Sequence, residues 1–369
     1  MSQRAIGFHT LDLTQTLKTL LGNWHRQTEE DTENMAQRKS SDEKARRPSA
    51  KPVEKPLPST ESAGGAPKAA AEEEAPEEKY RRAGRIAHQV RDEVAPMIKV
   101  GVRVLEICEK AEARILELGG RVAFPTNVSI NEVAAHYSSP EDDPMIVRES
   151  DIVKLDIGVH VDGYIADTAV SVSFNPALER LVQASREALS KGLELVKPKA
   201  NAKDIGKVIE DTIRGYGYRP IRELSGHQLD QYLLHGAKSL PNIAVPHGAT
   251  IEEGEAYALE TFATTGTGSV HQTGQYFIFS LLPQRVALRS NGAREIVRLV
   301  GREFRSLPFS RRYLAKHVQK LSLALGLREL ITNGFLRQYS VLADVKGSHV
   351  AQAEDTFLVT KDGAEILTR

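Results

Sequence analysis

Residues 151–174 read DIVKLDIGVHVDGYIADTAVSVSF. β-Branched and other apolar residues crowd both halves, with Asp162-Gly163 between them. That dipeptide tolerates the positive φ of a tight hairpin turn, so the segment predicts two antiparallel strands. Each arm carries one carboxylate in an apolar run, Asp156 in KLDIG and Asp167 in IADTA. Folding about the turn brings the two within about two residues of facing each other. A buried carboxylate is costly unless it is paired or bound to a cation. Two so close repel unless a proton or a metal lies between them. Alone, the pair reads equally well as two structural aspartates.

The flanks alternate between helical and strand patterns. AGRIAHQVRDEVAPMI (83–98) and VRVLEICEKAEARILELGG (102–120) predict amphipathic helices, the second closed by Gly119-Gly120. NPALERLVQASREALSKGLELV (175–196) predicts a helix opened by Asn175 with Pro176 at its first position. NAKDIGKVIEDTIRGYGY (201–218) predicts another, stopped by Gly215 and Gly217. EAYALETFATTG (255–266) is strand-like, residues 291–332 are helical, and 346–369 alternate as strands about a turn at Asp362-Gly363. No strict strand–helix–strand rhythm runs through the chain, so the expected class is α+β rather than a doubly wound parallel sheet.

Residues 1–79 differ. Leu13, Leu17, Leu20, Leu21 and Trp24 predict one short amphipathic helix. Residues 27–79 are polar, and six of the chain's 17 prolines fall between Pro48 and Pro76. Such a segment buries too little apolar surface to order itself, so it is expected to be a disordered linker. The globular domain is expected over residues 80–369.

With 369 residues, 40% hydrophobic and 27% charged, the composition is that of a soluble protein with room for a sizeable core. Lys+Arg and Asp+Glu both number 49, so no global field steers the chain towards nucleic acid or an anionic membrane. A single cysteine, Cys108, excludes an intramolecular disulfide and a Cys-rich zinc site. No apolar run approaches the roughly 18 residues of a membrane span, and MSQRAIGFHT lacks a signal-peptide core. A cytoplasmic protein without membrane association is expected. Residues 281–340 hold 12 Lys/Arg against three Asp/Glu; a solvated helical face explains this, and RNA or ribosome contact is the functional alternative.

Three further candidates join the aspartates. Glu260 lies in EAYALETF, Glu354 in VAQAEDTFLV, and His227 follows Gly226 in LSGHQLDQYLLHG. A lone histidine or glutamate is ordinarily a satisfied structural residue. Two Asp, two Glu and one His, four of them on apolar strands, make instead an oxygen-rich donor set with one nitrogen. That set suits two hard or borderline divalent ions, Mn, Fe(II), Co or Zn, as in two-metal hydrolases.

The motifs FPTNVSINEVAAHY, KLDIGVHVDGYIADTA, GHQLDQYLLH, EGEAYALETF and KGSHVAQAEDT, in this order, resemble the methionine aminopeptidases of the creatinase-like pita-bread family, peptidase family M24. The resemblance covers about residues 80–369. A helical insertion at about 282–337 resembles the type 2 class, and the short catalytic chain its archaeal branch. The resemblance implies two divalent ions, with Asp156 on one ion, Asp167 and Glu354 bridging both, and His227 and Glu260 completing the other. It implies that His136, in AAHY, and His235, in LLHG, are catalytic and substrate-binding, with Glu260 as proton carrier. Phe124, Leu234 and Tyr339 match positions near a methionine pocket. The implied reaction removes initiator methionine from nascent chains whose second residue is small. A monomer is expected; ribosome contact is open to the basic insertion or the N-terminal extension, but the extension lacks the long lysine and aspartate blocks of eukaryotic type 2 enzymes, which speaks against it.

Two departures from the family pattern stand out. Asp355 replaces a frequent histidine after Glu354, and strand alternation should turn it away from the metals. Residues 266–268 read GTG where relatives often have GKG. Two alternatives remain: an Xaa-Pro peptidase on the same fold, and a non-catalytic homologue that binds RNA or ribosomes. A nucleotide site in TTGTGSVHQTG is disfavoured, because the glycines miss the GxGxxG spacing.

Overall fold

The computed structural model describes residues 74–284 and 287–369. The helix expected at Leu13–Trp24 and most of the expected linker lie outside the described residues. In chain order the elements are α1 (Pro76–Val94), α2 (Val104–Glu117), β1 (Arg121–Ile130), β2 (Val133–Ala135), β3 (Ile152–Val161), β4 (Tyr164–Ser173), α3 (Glu179–Glu194) and α4 (Ala202–Gly215). There follow β5 (Arg219–Pro220), β6 (Ser225–Leu229), β7 (Ser239–Pro241), β8 (Ala256–Thr264), β9 (His271–Leu281) and α5 (Asn291–Glu303). The chain continues through β10 (Phe309–Ser310), α6 (Arg311–Ala315), α7 (Lys320–Thr332), β11 (Leu336–Ala343), β12 (Val350–Thr360) and β13 (Gly363–Ile366).

Among the described residues nine strands form one sheet along the path β1-β3-β4-β12-β8-β6-β7, with β13 on β12 and β5 on β8. Every pairing is antiparallel, as an α+β chain without crossover units requires. A second sheet runs β10-β9-β11-β2.

Strand alternation gives the large sheet two unlike faces. Val153, Leu155, Ile157 and Val159 of β3 pack with Ile86, Val90, Ile107 and Ile115 of α1 and α2. Tyr257 and Leu259 of β8 and Ala353 and Phe357 of β12 pack with Leu181, Leu189, Ile205 and Ile209 of α3 and α4. Two helix pairs therefore cover one face. The intervening positions, including Asp156, Asp167, Glu260 and Glu354, turn to the other.

Helix α1 starts with Pro76 at its first turn and Glu77 and Glu78 beside it, where a carboxylate favours the helix N-terminus. It thus begins four residues ahead of the expected domain start, and Lys79 and Tyr80 are already buried. It also ends sooner, at Val94, because Pro96 follows and a 3-10 turn takes over. The Asn175 side chain accepts from Ala177 N (3.0 Å) and caps a 3-10 turn ahead of α3. Asn201 does the same for α4 through Lys203 N (3.0 Å).

The segment between β9 and β11 carries α5, α6 and α7 around its own apolar cluster, including Ile296, Val300, Phe309, Leu323 and Leu330. It is not wholly helical, as expected for 291–332, since β10 interrupts it to pair with β9. Glu112 of α2 anchors it: Arg312 donates from Nη2 to Glu112 Oε1 (2.8 Å), and Tyr313 Oη to the same oxygen (2.7 Å). No described helix is long and apolar enough to cross a membrane.

Candidate metal centre

Register brings the acidic residues together on the uncovered sheet face. In the β3–β4 hairpin Asp156 faces Ala169 and Asp167 faces Gly158, the two-residue offset expected from the turn at Asp162-Gly163. Glu354 of β12 also faces Ala169, from the other side of β4, and faces Glu260 across β8. His227 of β6 pairs with Ala258, two residues before Glu260. Five adjacent strands thus each contribute one residue. Ligand atoms of Asp167, His227 and Glu354 lie within 4.8 Å of one another, and His227 Nε2 is 3.8 Å from Asp167 Oδ2. Asp156 lies close enough for its charge to repel that of Asp167.

The residues fit divalent cations. Asp156 Oδ1, Asp167 Oδ1, His227 Nδ1 and Glu354 Oε1 are buried and form no hydrogen bond. Such atoms cost free energy unless something positive faces them. Burial pushes Asp156 up to about 7. Burial, then repulsion from neighbouring carboxylates, drives Asp167, Glu260 and Glu354 well above the carboxylate range. Burial and the nearby His235 hold His227 neutral. Four crowded carboxylates with a neutral imidazole must take up protons or bind cations.

Two other histidines flank this group. His136, just past β2, adopts φ 68°, and its Nδ1 lies 3.1 Å from the Ser340 carbonyl. A carbonyl only accepts, so Nδ1 carries the proton. Burial lowers the His136 pKa, so the ring is neutral and Nε2 keeps its lone pair. The His235 ring lies 4.4 Å from that of His227. Burial of its inner side, then His136 and Arg337, lower its pKa, while its outer side remains exposed.

The three expected pocket residues divide. Phe124 and Leu234 share one buried apolar cluster with Ile165, Leu229, Ala258 and Leu358, on the same sheet face as the carboxylates. Phe124 lies flat on Gly158, where a Cβ would come within 2.2 Å of its ring. Tyr339 lies on another wall: its ring meets His136 edge-on at 5.7 Å, and its hydroxyl is 3.3 Å from Ser280 Oγ.

Gln352 escaped the sequence reading. It is buried on β12 two residues before Glu354 and donates from Nε2 to Glu354 Oε2 (3.1 Å). Its position on the alternation was the available signal, but a lone glutamine among apolar residues carries no charge to draw notice. Asp355 turns away as expected, accepting from Thr368 Oγ1 (2.8 Å) and Arg369 Nε (2.7 Å) on the helix-covered side.

The profile of metallopeptidase family M24 matches residues 78–361. The chain belongs to metallopeptidase family M24. A methionine aminopeptidase of Thermococcus onnurineus (strain NA1) is 44% identical over 78% of this chain and 97% of its own length. The structure of a thermophilic Arx1 overlays with TM-score 0.70 at 20% identity, covering 79% of this chain and 89% of that one. A methionine aminopeptidase of Rickettsia prowazekii overlays with TM-score 0.57 at 22% identity, covering 80% and 97%. These overlays establish the α+β pita-bread fold. Membership of M24 makes the chain one of a family that uses divalent metal.

Proposed function

We propose that this M24 chain is a methionine aminopeptidase that removes initiator methionine from nascent polypeptides with a small second residue. The carrying observation is the 44% identity to an archaeal methionine aminopeptidase along 97% of that relative, and the carboxylate–imidazole face described above supports it.

In this reading Asp156, Asp167, His227, Glu260 and Glu354 would hold the divalent ions. Two divalent ions held there, Co, Mn, Fe(II) or Zn, would acidify a water and polarise the scissile carbonyl. Glu260 takes a proton from the attacking water and returns it to the leaving amine. His136 presents a bare Nε2, so it accepts an N–H of the substrate peptide and does not donate. Neutral His235 holds the substrate amide beside His227. Phe124 and Leu234 bury the methionine side chain, and Tyr339 orients His136.

The protein would act as a cytoplasmic monomer on nascent N-termini. Ribosome contact is proposed through the basic insertion, where Arg294, Arg298 and Arg302 are exposed along α5, or through the N-terminal extension.

The test is an assay of Met-Ala-Ser and Ala-Pro-Ser peptides with metal-stripped protein re-supplied separately with Mn, Co, Fe(II) and Zn. Metal-dependent release of methionine from the first alone is the expected result and ranks the metals. Cleavage of Ala-Pro-Ser would favour an Xaa-Pro peptidase. Cleavage of neither, with metal bound, would sink the catalytic reading.

A further inference from the structure

His235 does not stand on a strand. It follows β6 on the loop 230–235, whose own backbone closure is one reciprocal pair, Asp230 N to Leu233 O (3.0 Å) and Leu233 N to Asp230 O (2.9 Å). Tyr232 fastens this loop to the rest of the protein, together with Gln231, whose Nε2 donates to Asp162 O (2.9 Å), and the buried Leu234. The Tyr232 N–H donates to Gly163 O (2.8 Å), at the turn of the β3–β4 hairpin. Its carbonyl accepts from Ser306 Oγ (2.6 Å). Its ring lies 4.2 Å from the Arg305 guanidinium and 5.6 Å from the His160 ring. Gly163 admits that ring, because a Cβ there would come within 2.3 Å of it.

Arg305 and Ser306 belong to the insertion, just past α5. Tyr232 and Arg305 both adopt left-handed backbone, with φ 55° and 54°. Non-glycine residues hold that conformation only where surrounding contacts over-determine it. Here two such residues press on each other. The insertion side is itself stiff. Arg305 N donates to Val300 O (2.9 Å), Leu307 N donates to Phe304 O (2.8 Å), and Leu307 is buried. The Phe304 ring stacks on Tyr313 at 5.6 Å and 12°, and Tyr313 bonds Glu112 of α2.

We propose that Arg305 and Ser306 are positioning residues: through Tyr232 the insertion sets the loop that carries His235 and so fixes where His235 meets the substrate. The insertion is then a working part of the site as well as an appended subdomain. Packed and hydrogen-bonded groups link Glu112 to Tyr313 and Phe304, and Arg305 to Tyr232, and the loop backbone carries the path on to His235. Only the kinetic readout of this proposal rests on the aminopeptidase reading.

Ser306→Ala removes the bond to Tyr232 and Ser306→Thr keeps a hydroxyl. Arg305→Lys keeps the charge but loses the planar group over the ring, and serves if Ser306→Ala misfolds. Each is loaded with Mn and assayed on Met-Ala-Ser, alone and combined with His235→Ala. Metal stoichiometry is followed in parallel, and the His235 imidazole NMR signals, assigned by their loss in His235→Ala, are read on protein loaded with diamagnetic Zn, because Mn would broaden them.

Ser306→Ala should lower kcat/KM about tenfold, the scale of one net hydrogen bond. Ser306→Thr should restore it, metal stoichiometry should not change, and the His235 signals should shift. On the His235→Ala background Ser306→Ala should cost nothing further, since both act through one ring. Independent losses in that cycle, or unmoved His235 signals, overturn the proposal. If the wild-type protein releases no methionine, the aminopeptidase reading fails, and the His235 signals still decide the positioning role.

Discussion

His136 and Asp156 separate chemistry from metal binding. His136 is neutral, with its proton fixed on Nδ1 by Ser340, and it lies outside the group of orphaned ligand atoms. His136→Ala should therefore retain metal while kcat falls by about 10²–10³, the scale of one lost transition-state hydrogen bond. Asp156→Asn should lose metal and activity together, and titration calorimetry beside the peptide assay separates the cases. Gln352 orients Glu354 without being charged. Gln352→Ala should weaken metal affinity about 10–100-fold, the usual cost of removing a group that orients ligands. The aspartate pair was legible in sequence because the turn at Asp162-Gly163 sets the register by simple counting. Gln352 was not, because nothing in its residue type says what it touches.

The helix-free face of the large sheet behaves as one electrostatic element. Its carboxylates have pKa values raised in the folded chain, Asp156 to about 7 against an ordinary value of 3.8. Folding of metal-free protein therefore takes up protons between those values, and its stability should fall as pH rises through about 7. Metal-loaded protein keeps the carboxylates ionised and should lack that fall. Thermal unfolding at pH 5 and pH 8, with and without chelator, checks both statements. On the same face Gly158→Ala drives a methyl into the Phe124 ring, at a cost of about 1–3 kcal/mol measurable by urea unfolding. Strand β1 hid from the sequence reading for a physical reason. Bulges between Val122 and Phe124 and between Phe124 and Asn127 break its alternation around Pro125, and it is buried on both faces through the middle. Strand β9 hid for the opposite reason, since its first six residues are exposed and include Gly274. The start of α1 reads as linker because only Lys79 and Tyr80 in its first turns face inward.

Across the whole molecule, the buried pair of Arg312 and Glu112 joins the insertion to α2. Arg312→Met strands the Glu112 carboxylate and should cost about 3–5 kcal/mol, whereas the double replacement with Glu112→Leu should recover most of it. Chemical denaturation of both variants beside the wild type is the measurement. The sheet order has another consequence, for synthesis. Strand β12 lies between β4 and β8 although it leaves the ribosome long after both, and Asp167 and Thr356 meet across a separation of 189 residues. Contacts that distant close slowly and late. Until β12 emerges, β4 and β8 each present an unpaired edge, the kind of surface that recruits other strands. A chain made only as far as β8 thus holds four of the five acidic and imidazole groups, on two strand pairs, β3–β4 and β6–β8, that β12 has not yet joined. Maturation ends, rather than begins, with the assembly of the site.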